Sequence, residues 1–135
     1  GTACTGDHIQ KLFRFTDNVV FAFDGDSAGR RAAKKALDGA LSFASDVRSI
    51  KFLFLPSEHD PDSFIRANGA PAFEQAVAGA TPLSQFLIDV AAQDVDLNLP
   101  EGRAHFLTQT LLVFDVRRYW VAALFPSQTF PLVDR

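Results

Sequence analysis

Residues 18–33 have the sequence NVVFAFDGDSAGRRAA, in which a short apolar run is followed by two aspartates around a glycine and then by a helix-forming stretch. The run 18–23 is rich in β-branched and aromatic residues and apolar on both faces, as buried parallel strands are. The stretch 27–43 is rich in Ala, Lys, Arg and Leu and predicts a helix. A second apolar run, 50–55, again predicts a strand. Together these segments predict a right-handed strand–helix–strand unit with parallel strands.

The segments around this unit are predicted to be helical. Thr5 or Asp7 can cap a helix from His8 to Phe15. After Pro61 the sheet is expected to have ended, and the pattern and the placement of Gly and Pro predict helices over 62–68, 71–78, 82–93 and 101–112. The fold class is therefore α/β up to about Asp62 and α-helical beyond it, while 113–135 has no pattern that assigns a structure.

Composition limits the classes of function. The chain has 13 Lys and Arg against 16 Asp and Glu, a net charge of −3, so any contact with nucleic acid must be local. The single cysteine, Cys4, excludes an intrachain disulfide and fits a reducing, cytoplasmic setting. No apolar run approaches the roughly 20 residues of a membrane span. Methionine is absent even at position 1, so we expect the sequence to begin within a longer reading frame.

Acidic residues follow both predicted strands. Asp24 and Asp26 bracket Gly25 after the first strand, and Asp60 and Asp62 repeat the spacing after the second. Carboxyl ends of parallel strands share one edge of a sheet, so we expect the four carboxylates to crowd there and to need a cation such as Mg²⁺. Such a site suits phosphoryl or nucleotidyl transfer.

A structural interpretation of the same acids stays open. Asp-Gly-Asp is also an ordinary turn, and Asp62 can serve only to cap the following helix. Arg30 lies close enough to the acids to contact a nucleotide or template phosphate, although a solvated helix face is the alternative. The three histidines, His8, His59 and His105, have no spacing that builds a transition-metal site.

The longer stretch 23–33, FDGDSAGRRAA, closely resembles the second acidic motif of Toprim domains, which occur in bacterial primases, topoisomerases and some nucleases. Further segments resemble DnaG-type DNA primases in the same order and at similar spacing: GTACT at 1–5 before DHI at 7–9, FLFLP at 52–56, HDPDS at 59–63 and PLSQFL at 82–87. The resemblance covers about residues 1–112.

The resemblance implies a domain organisation. Residues 1–62 would form a partial Toprim core and 63–112 the small helical subdomain of the primase polymerase region. The first Toprim motif, a strand that ends in a metal-sharing glutamate, would lie upstream and is missing. Residues 113–135 depart from the family, which a shifted reading frame or a truncated gene copy would explain.

The resemblance also implies chemistry. Asp24 and Asp26 would be metal ligands, and Asp60 and Asp62 further catalytic acids. Primases make short RNA primers on single-stranded DNA from ribonucleoside triphosphates with Mg²⁺, for which Mn²⁺ can substitute. Zinc is expected only in a module absent from this chain. The replicative helicase is expected to bind through an absent carboxy-terminal domain, and no membrane is expected to take part.

Two alternatives remain at this point. The chain can be a catalytically inactive primase fragment or gene remnant, and we expect it to be inactive alone. It can also belong to another Toprim enzyme, a topoisomerase or a nuclease. That class needs a nucleophilic tyrosine domain or a hydrolytic partner domain, and Tyr119, the only tyrosine, lies outside the resemblance.

Overall fold

The computed structural model describes residues 4–45 and 47–113. The unassigned tail from 114 onward, with Tyr119, and the first three residues of the GTACT segment lie outside the described residues. The elements follow one another as α1 (Gly6–Leu12), β1 (Asn18–Asp24), α2 (Ser27–Leu41), β2 (Ser49–Leu55), α3 (Pro61–Asn68), α4 (Ala70–Ala78), β3 (Thr81–Pro82), α5 (Leu83–Ala92) and α6 (Pro100–Val113).

The sheet has the order β1-β2-β3. Strands β1 and β2 are parallel, in a register that pairs Asn18 with Ser49 and Asp24 with Leu55, so the predicted strand–helix–strand unit is confirmed. The expectation that the sheet ends before residue 62 is wrong, because β3 pairs antiparallel with Lys51 and Phe52 of β2. Strand β3 has only two residues, which is too short to show an alternation of apolar and polar residues in the sequence. Its position depends on the chain returning to β2 after α4, where Ala80 is buried against β2.

Strand β2 is covered on both faces. Phe52 and Phe54 lie on one face and contact the ring of Phe86, at centroid distances of 4.6 and 5.4 Å. Leu53 and Leu55 lie on the other face and form a second cluster with Ala80 and with partly buried side chains of α3 and α4: Phe64, Phe73, Ala76 and Val77. The strand predicted from the apolar run 50–55 is therefore confirmed.

Strand β1 is covered on one face only. Val19 and Phe21 are buried, whereas Val20 is 36% exposed and Ala22 is also exposed. The prediction that this strand is buried on both faces is therefore wrong for the described residues. The helices α3 and α4 pack against the second face of β2, and no described element covers the neighbouring face of β1.

Helix α1 is shorter than predicted. Thr5 is its N-cap residue, as one of the two predicted alternatives, and the helix ends at Leu12 rather than at Phe15. The amide groups of Arg14 and Phe15 donate to the carbonyl groups of Lys11 and Leu12, three residues back, so the chain turns more tightly there. The fully buried Ile9 anchors α1 in the core.

The chain divides into two compact units between Phe86 and Leu87, within α5. The first unit contains the sheet and the predicted acidic residues. In the second unit, the guanidinium group of Arg103 donates to the carbonyl groups of Leu97 and Asn98, which holds the 97–98 loop against α6. Among residues 4–45 and 47–113, no helix has the length and apolar character needed to cross a membrane.

Candidate active site

The Asp24-Gly25-Asp26 segment joins the end of β1 directly to α2. Asp24 is the last residue of the strand, and Asp26 is the N-cap residue of the helix. Oδ1 of Asp26 accepts a 2.6 Å hydrogen bond from the backbone N–H of Gly29. This bond fixes the carboxylate at the positive end of the α2 dipole, where a negative charge is favoured. Asp26 therefore caps α2, a role that the turn interpretation of Asp-Gly-Asp does not include, and its second carboxylate oxygen remains for a ligand.

Two glycines allow the segment to approach its neighbours closely. A Cβ atom at Gly25 would overlap the carbonyl oxygen of Leu55, at the end of β2. A Cβ atom at Gly29 would overlap the carbonyl oxygen of Asp24. The acidic loop therefore lies against the carboxyl end of the neighbouring strand, and the first turn of α2 lies on the end of β1. Both approaches require glycine.

Asp60 occupies the equivalent position before α3. It is the N-cap residue, Pro61 follows at the first helical position, and Oδ1 of Asp60 accepts a 2.7 Å hydrogen bond from the backbone N–H of Ser63. The alternative in which Asp62 caps this helix is therefore wrong, because proline at the first helical position makes the preceding residue the cap. The backbone and hydroxyl hydrogen bonds of Ser63 lower the pKa of the Asp60 carboxyl, with a smaller contribution from Arg66.

Asp62 lies inside the first turn of α3 and has a partner of its own. Its Oδ2 is 2.7 Å from the guanidinium nitrogen of Arg66, four residues later, and both side chains are more than two-thirds exposed. An exposed pair of this kind contributes about 0.3 to 0.5 kcal/mol. The pair therefore holds Asp62 weakly, and a cation can compete for the carboxylate.

The four acids follow the ends of two paired parallel strands, as predicted, but they do not form one cluster. Across residues 4–45 and 47–113, no three His, Cys, Asp or Glu side chains form a group that could hold a metal ion. The predicted crowding is therefore not found in this part of the chain. Asp26 and Asp60 turn to cap their own helices, and Asp62 pairs with Arg66.

Asp24 and Asp26 still fit a hard divalent cation. Both side chains are exposed and both offer carboxylate oxygens, which Mg²⁺ prefers. Mg²⁺ is commonly held by only one or two protein carboxylates together with waters and substrate phosphates, so two acids are a sufficient protein contribution.

Arg30 does not project freely into solvent. Its guanidinium carbon lies 4.6 Å from the centroid of the Phe54 ring, near the end of β2. A cation over an aromatic face is attracted by the ring quadrupole, and its N–H groups remain available in their own plane. Contact between Arg30 and a phosphate stays a prediction. The Phe54 ring holds the Arg30 guanidinium group near the carboxyl end of β2, at the edge of the sheet where the acidic loop lies.

Sequence reasoning missed two contributors to this region. Ser63 lies in the HDPDS segment at 59–63 but is given no role in the sequence analysis, and Gly29 is given none either. The spacing Asp-x-x-Ser, with proline after the aspartate, is the signal that identifies Ser63 as the partner of the cap residue. No local pattern predicts the overlap at Gly29, because it depends on where α2 lies on β1.

Two family models match the chain. The model described as Toprim-like matches residues 1–65, and the model described as the DnaB-helicase binding domain of primase matches residues 84–113. The second match lies almost entirely within the stretch 63–112, which the resemblance implies to be the helical subdomain of the polymerase region.

Known DNA primases are similar to this chain in sequence. The DNA primase of Escherichia coli K12 is 49% identical over 111 residues, and that of Neisseria meningitidis serogroup B is 47% identical over 108 residues. The matches cover 82% and 79% of this chain but only 19% and 18% of the two primases. The chain thus spans about a fifth of the length of these relatives.

Solved structures agree in fold. The Escherichia coli primase catalytic core superposes with a TM-score of 0.80 at 48% identity, and a DNA primase domain from Pseudomonas aeruginosa with a TM-score of 0.79 at 39% identity. Each match covers 84% of this chain and 36% of the other. The structure of the DnaG primase catalytic domain bound to single-stranded DNA matches with a TM-score of 0.80 at 48% identity. The chain therefore belongs to the DnaG-type family of bacterial DNA primases and matches part of their catalytic core.

Proposed function

We propose that this chain supplies part of the nucleotidyl-transfer site of a DNA primase, which makes short RNA primers on single-stranded DNA from ribonucleoside triphosphates. In this proposal Asp24 and Asp26 bind Mg²⁺, for which Mn²⁺ can substitute. Asp60 and Asp62 are further acids of the site, and Arg30 contacts a nucleotide or template phosphate. The complete enzyme would require the residues that the relatives have beyond this segment.

The acidic loop carries the proposal. Its two exposed carboxylates lie where β1 meets α2, and Gly25 between them lies against the end of β2. Bound Mg²⁺ would stabilise the negative charge that develops on phosphate oxygens during nucleotidyl transfer. The Gly29 amide holds Asp26 in place beforehand, so little reorganisation is needed when the cation and the nucleotide arrive.

A chimeric primase tests the proposal. The segment of Escherichia coli primase that matches this chain would be replaced by the corresponding 111 residues of this chain, and primer synthesis on single-stranded DNA would be measured with Mg²⁺. We expect primers from the chimera and a loss of at least about 100-fold in the variants Asp24→Ala and Asp26→Ala. Asp38→Ala, at an exposed acid of α2 away from the loop, is the matched control.

The outcomes separate the interpretations. Full activity of both aspartate variants would remove the metal assignment. A folded chimera that binds single-stranded DNA but makes no primer would favour the catalytically inactive fragment. Primer synthesis by the 135-residue chain alone would refute the proposal that it is only one part of the site. Cleavage or relaxation of duplex DNA without primer synthesis would favour another Toprim enzyme.

Residues 84–113 suggest a second interaction. Their match to the DnaB-helicase binding domain of primase supports the proposal that this segment, rather than an absent domain alone, takes part in contact with the replicative helicase. Binding of the chain to purified helicase, compared with a chain that ends at Phe86, the last residue of the first unit, would test it. A replication protein of this kind would act in the bacterial cytoplasm, which is part of the same proposal.

A further inference from the structure

Asn68 and Gly69 form the junction between α3 and α4. Asn68 is the last residue of α3, and Gly69, with φ +85°, is both the C-cap residue of α3 and the N-cap residue of α4. The backbone N–H of Phe73 donates to the Gly69 carbonyl oxygen where α4 begins. A positive φ favours glycine, which has no Cβ atom to clash. The junction therefore places an exposed asparagine directly before a glycine.

An asparagine followed by glycine can react with its own backbone. The Gly69 nitrogen attacks the side-chain carbonyl carbon of Asn68, and the missing side chain of glycine leaves this approach open. A bond forms between the Gly69 nitrogen and Cγ of Asn68, the Cγ–Nδ2 bond breaks, and Nδ2 leaves as ammonia with the proton of the Gly69 amide. Water then opens the five-membered imide at either of its carbonyl groups. The product is aspartate or isoaspartate, and water is the only co-reactant.

The folded junction opposes this reaction at both reacting groups. The Gly69 amide donates a 2.7 Å hydrogen bond to the Ile65 carbonyl oxygen, which holds the proton that the nitrogen must lose. Nδ2 of Asn68 donates a 3.1 Å hydrogen bond to the Phe64 carbonyl oxygen, so the side-chain amide is directed back along α3, whereas Gly69 lies ahead. Both bonds must open before Cγ of Asn68 can meet the Gly69 nitrogen.

We propose that Asn68 is a deamidation site that reacts only when the last turn of α3 opens. Helix ends open locally at free energies below that of global unfolding. The product cannot close as before, because it lacks the Nδ2 donor to Phe64 and its new carboxylate lies at the negative end of the α3 dipole. Isoaspartate also adds an extra backbone atom between α3 and α4. The reaction therefore loosens, irreversibly, the two helices that pack over Leu53 and Leu55 of β2.

Deamidation of the full chain in buffer and in guanidinium chloride tests the proposal, with the product located by mass spectrometry of proteolytic peptides. Two hydrogen bonds protect the folded junction, so we expect deamidation at residue 68 to be about 30-fold slower in buffer than in the denaturant. Asn18 and Asn98 are internal controls in the same sample. Valine and leucine follow them, and these branched side chains hinder the attack. Both should stay unmodified in either condition.

Two alanine-to-glycine substitutions test the control by α3. Ala67→Gly weakens the last turn of α3 at an exposed position, so it should raise the rate in buffer about fivefold and leave the rate in denaturant unchanged. Ala78→Gly is the matched control, because it makes the same exposed change at the far end of α4. It should leave both rates unchanged. Circular dichroism checks that each variant keeps its helix content in buffer.

Ageing tests the consequence for the fold. The parent chain and Asn68→Gln would be incubated in buffer and then unfolded in guanidinium chloride. Glutamine would have to close a six-membered ring, which forms far more slowly. The aged parent chain should contain a fraction that unfolds at a lower denaturant concentration than the fresh chain, and aged Asn68→Gln should contain none.

Each part of the proposal has its own contrary result. Absence of deamidation at residue 68 in denaturant would overturn the site itself. Equal rates in buffer and in denaturant, or equal acceleration by Ala67→Gly and Ala78→Gly, would overturn the control by α3. An aged chain that carries isoaspartate at residue 68 but unfolds as the fresh chain does would overturn the loosening of the two helices.

Discussion

The Asp26 carboxylate and the Gly29 amide are joined by a 2.6 Å hydrogen bond across the first turn of α2. Through this bond one side chain starts the helix and also belongs to the acidic loop of the proposed metal site. Asp60 and Ser63 repeat the relationship at α3, at 2.7 Å. The two helices therefore begin at acids that are also the candidates for chemistry, and substitutions of these acids will change both stability and activity.

The two roles of Asp26 can be separated by choice of substitution. Asp26→Ala removes the cap acceptor and should lower the free energy of unfolding by about 1 kcal/mol. Asp26→Asn keeps an oxygen acceptor for the Gly29 amide, so it should fold nearly as well as the parent chain while losing the charge that is proposed to hold Mg²⁺. Urea unfolding of both variants, together with Mn²⁺ titration, checks this. Equal destabilisation by the two substitutions would show that capping is not what Asp26 contributes to the fold.

Gly29 and Gly39 lie on the same helix and should respond in opposite ways to alanine. A methyl group at residue 29 would overlap the Asp24 carbonyl oxygen, so Gly29→Ala should destabilise the chain by about 1 to 3 kcal/mol. At residue 39 the nearest atom to the added Cβ is Cδ1 of Ile9, at 3.4 Å, an ordinary contact. Gly39→Ala should therefore stabilise the helix by about 0.5 to 1 kcal/mol.

Thermal or urea unfolding of Gly29→Ala and Gly39→Ala measures these opposite effects on stability. If Gly29→Ala unfolds at the same urea concentration as the parent chain, α2 does not lie on the end of β1 as described. Activity of the chimeric primase gives a second measurement. Displacement of α2 by Gly29→Ala would move both Asp24 and Asp26, so we expect the rate of primer synthesis to fall as well.

Acid should weaken the start of α3 through Asp60. Hydrogen bonds from Ser63 lower the pKa of this carboxyl in the folded chain, so the folded state favours the ionised form. The resulting stabilisation is present above the unfolded pKa of about 3.9, and it is lost as the pH falls through the lower folded value. Asp60→Asn cannot titrate, so its stability should fall less steeply between pH 5 and pH 2 than that of the parent chain.

Urea unfolding at several pH values measures this difference. Other carboxylates also titrate in the same range, and only the difference between the parent chain and Asp60→Asn reports on residue 60. Ser63→Ala gives an independent check, because loss of its hydroxyl should raise the pKa of Asp60 and flatten the same curve. Parallel curves for the parent chain and Asp60→Asn would contradict the capping interaction in solution.

Local patterns predicted the centre of the fold closely. The strands were predicted at 18–23 and 50–55 and are found at Asn18–Asp24 and Ser49–Leu55, and the helix between them begins at Ser27 as predicted. These segments are long enough to show a continuous apolar run or a helical stripe. The helix predicted over 8–15 was less accurate, because its second half tightens into turns that no periodicity marks.

Features that depend on packing between elements were not predicted from the sequence. The exposed face of β1 and the pairing of β3 both depend on where α3 and α4 pack, which the strands themselves do not encode. The candidate acids were found from their place after the strands, but their orientation was not. Asp26 and Asp60 each accept a hydrogen bond from a backbone amide three residues ahead, and the predicted crowding of four carboxylates is not found in the part of the chain that the structure describes.

Arg30 offers a test of the phosphate contact. Loss of a charged hydrogen bond to a nucleotide phosphate should raise the KM for ribonucleoside triphosphates in the chimeric primase by about 10-fold in Arg30→Ala. Arg31→Ala, at the next position of α2, is the matched control and should change KM little, because no ring within residues 4–45 and 47–113 holds its guanidinium group. Steady-state primer synthesis at several nucleotide concentrations provides both values.

The Phe54 ring makes the test of Arg30 more specific. The guanidinium group lies 4.6 Å from the ring centroid, and an exposed cation–ring pair contributes only about 0.5 to 1 kcal/mol to stability. Phe54→Leu should therefore leave the chain folded, while it releases Arg30 from its position and raises KM part of the way toward that of Arg30→Ala. Because both substitutions act on one contact, the double variant should be no worse than Arg30→Ala alone. Additive effects on KM would instead mean that Phe54 acts on the nucleotide by a route that does not pass through Arg30.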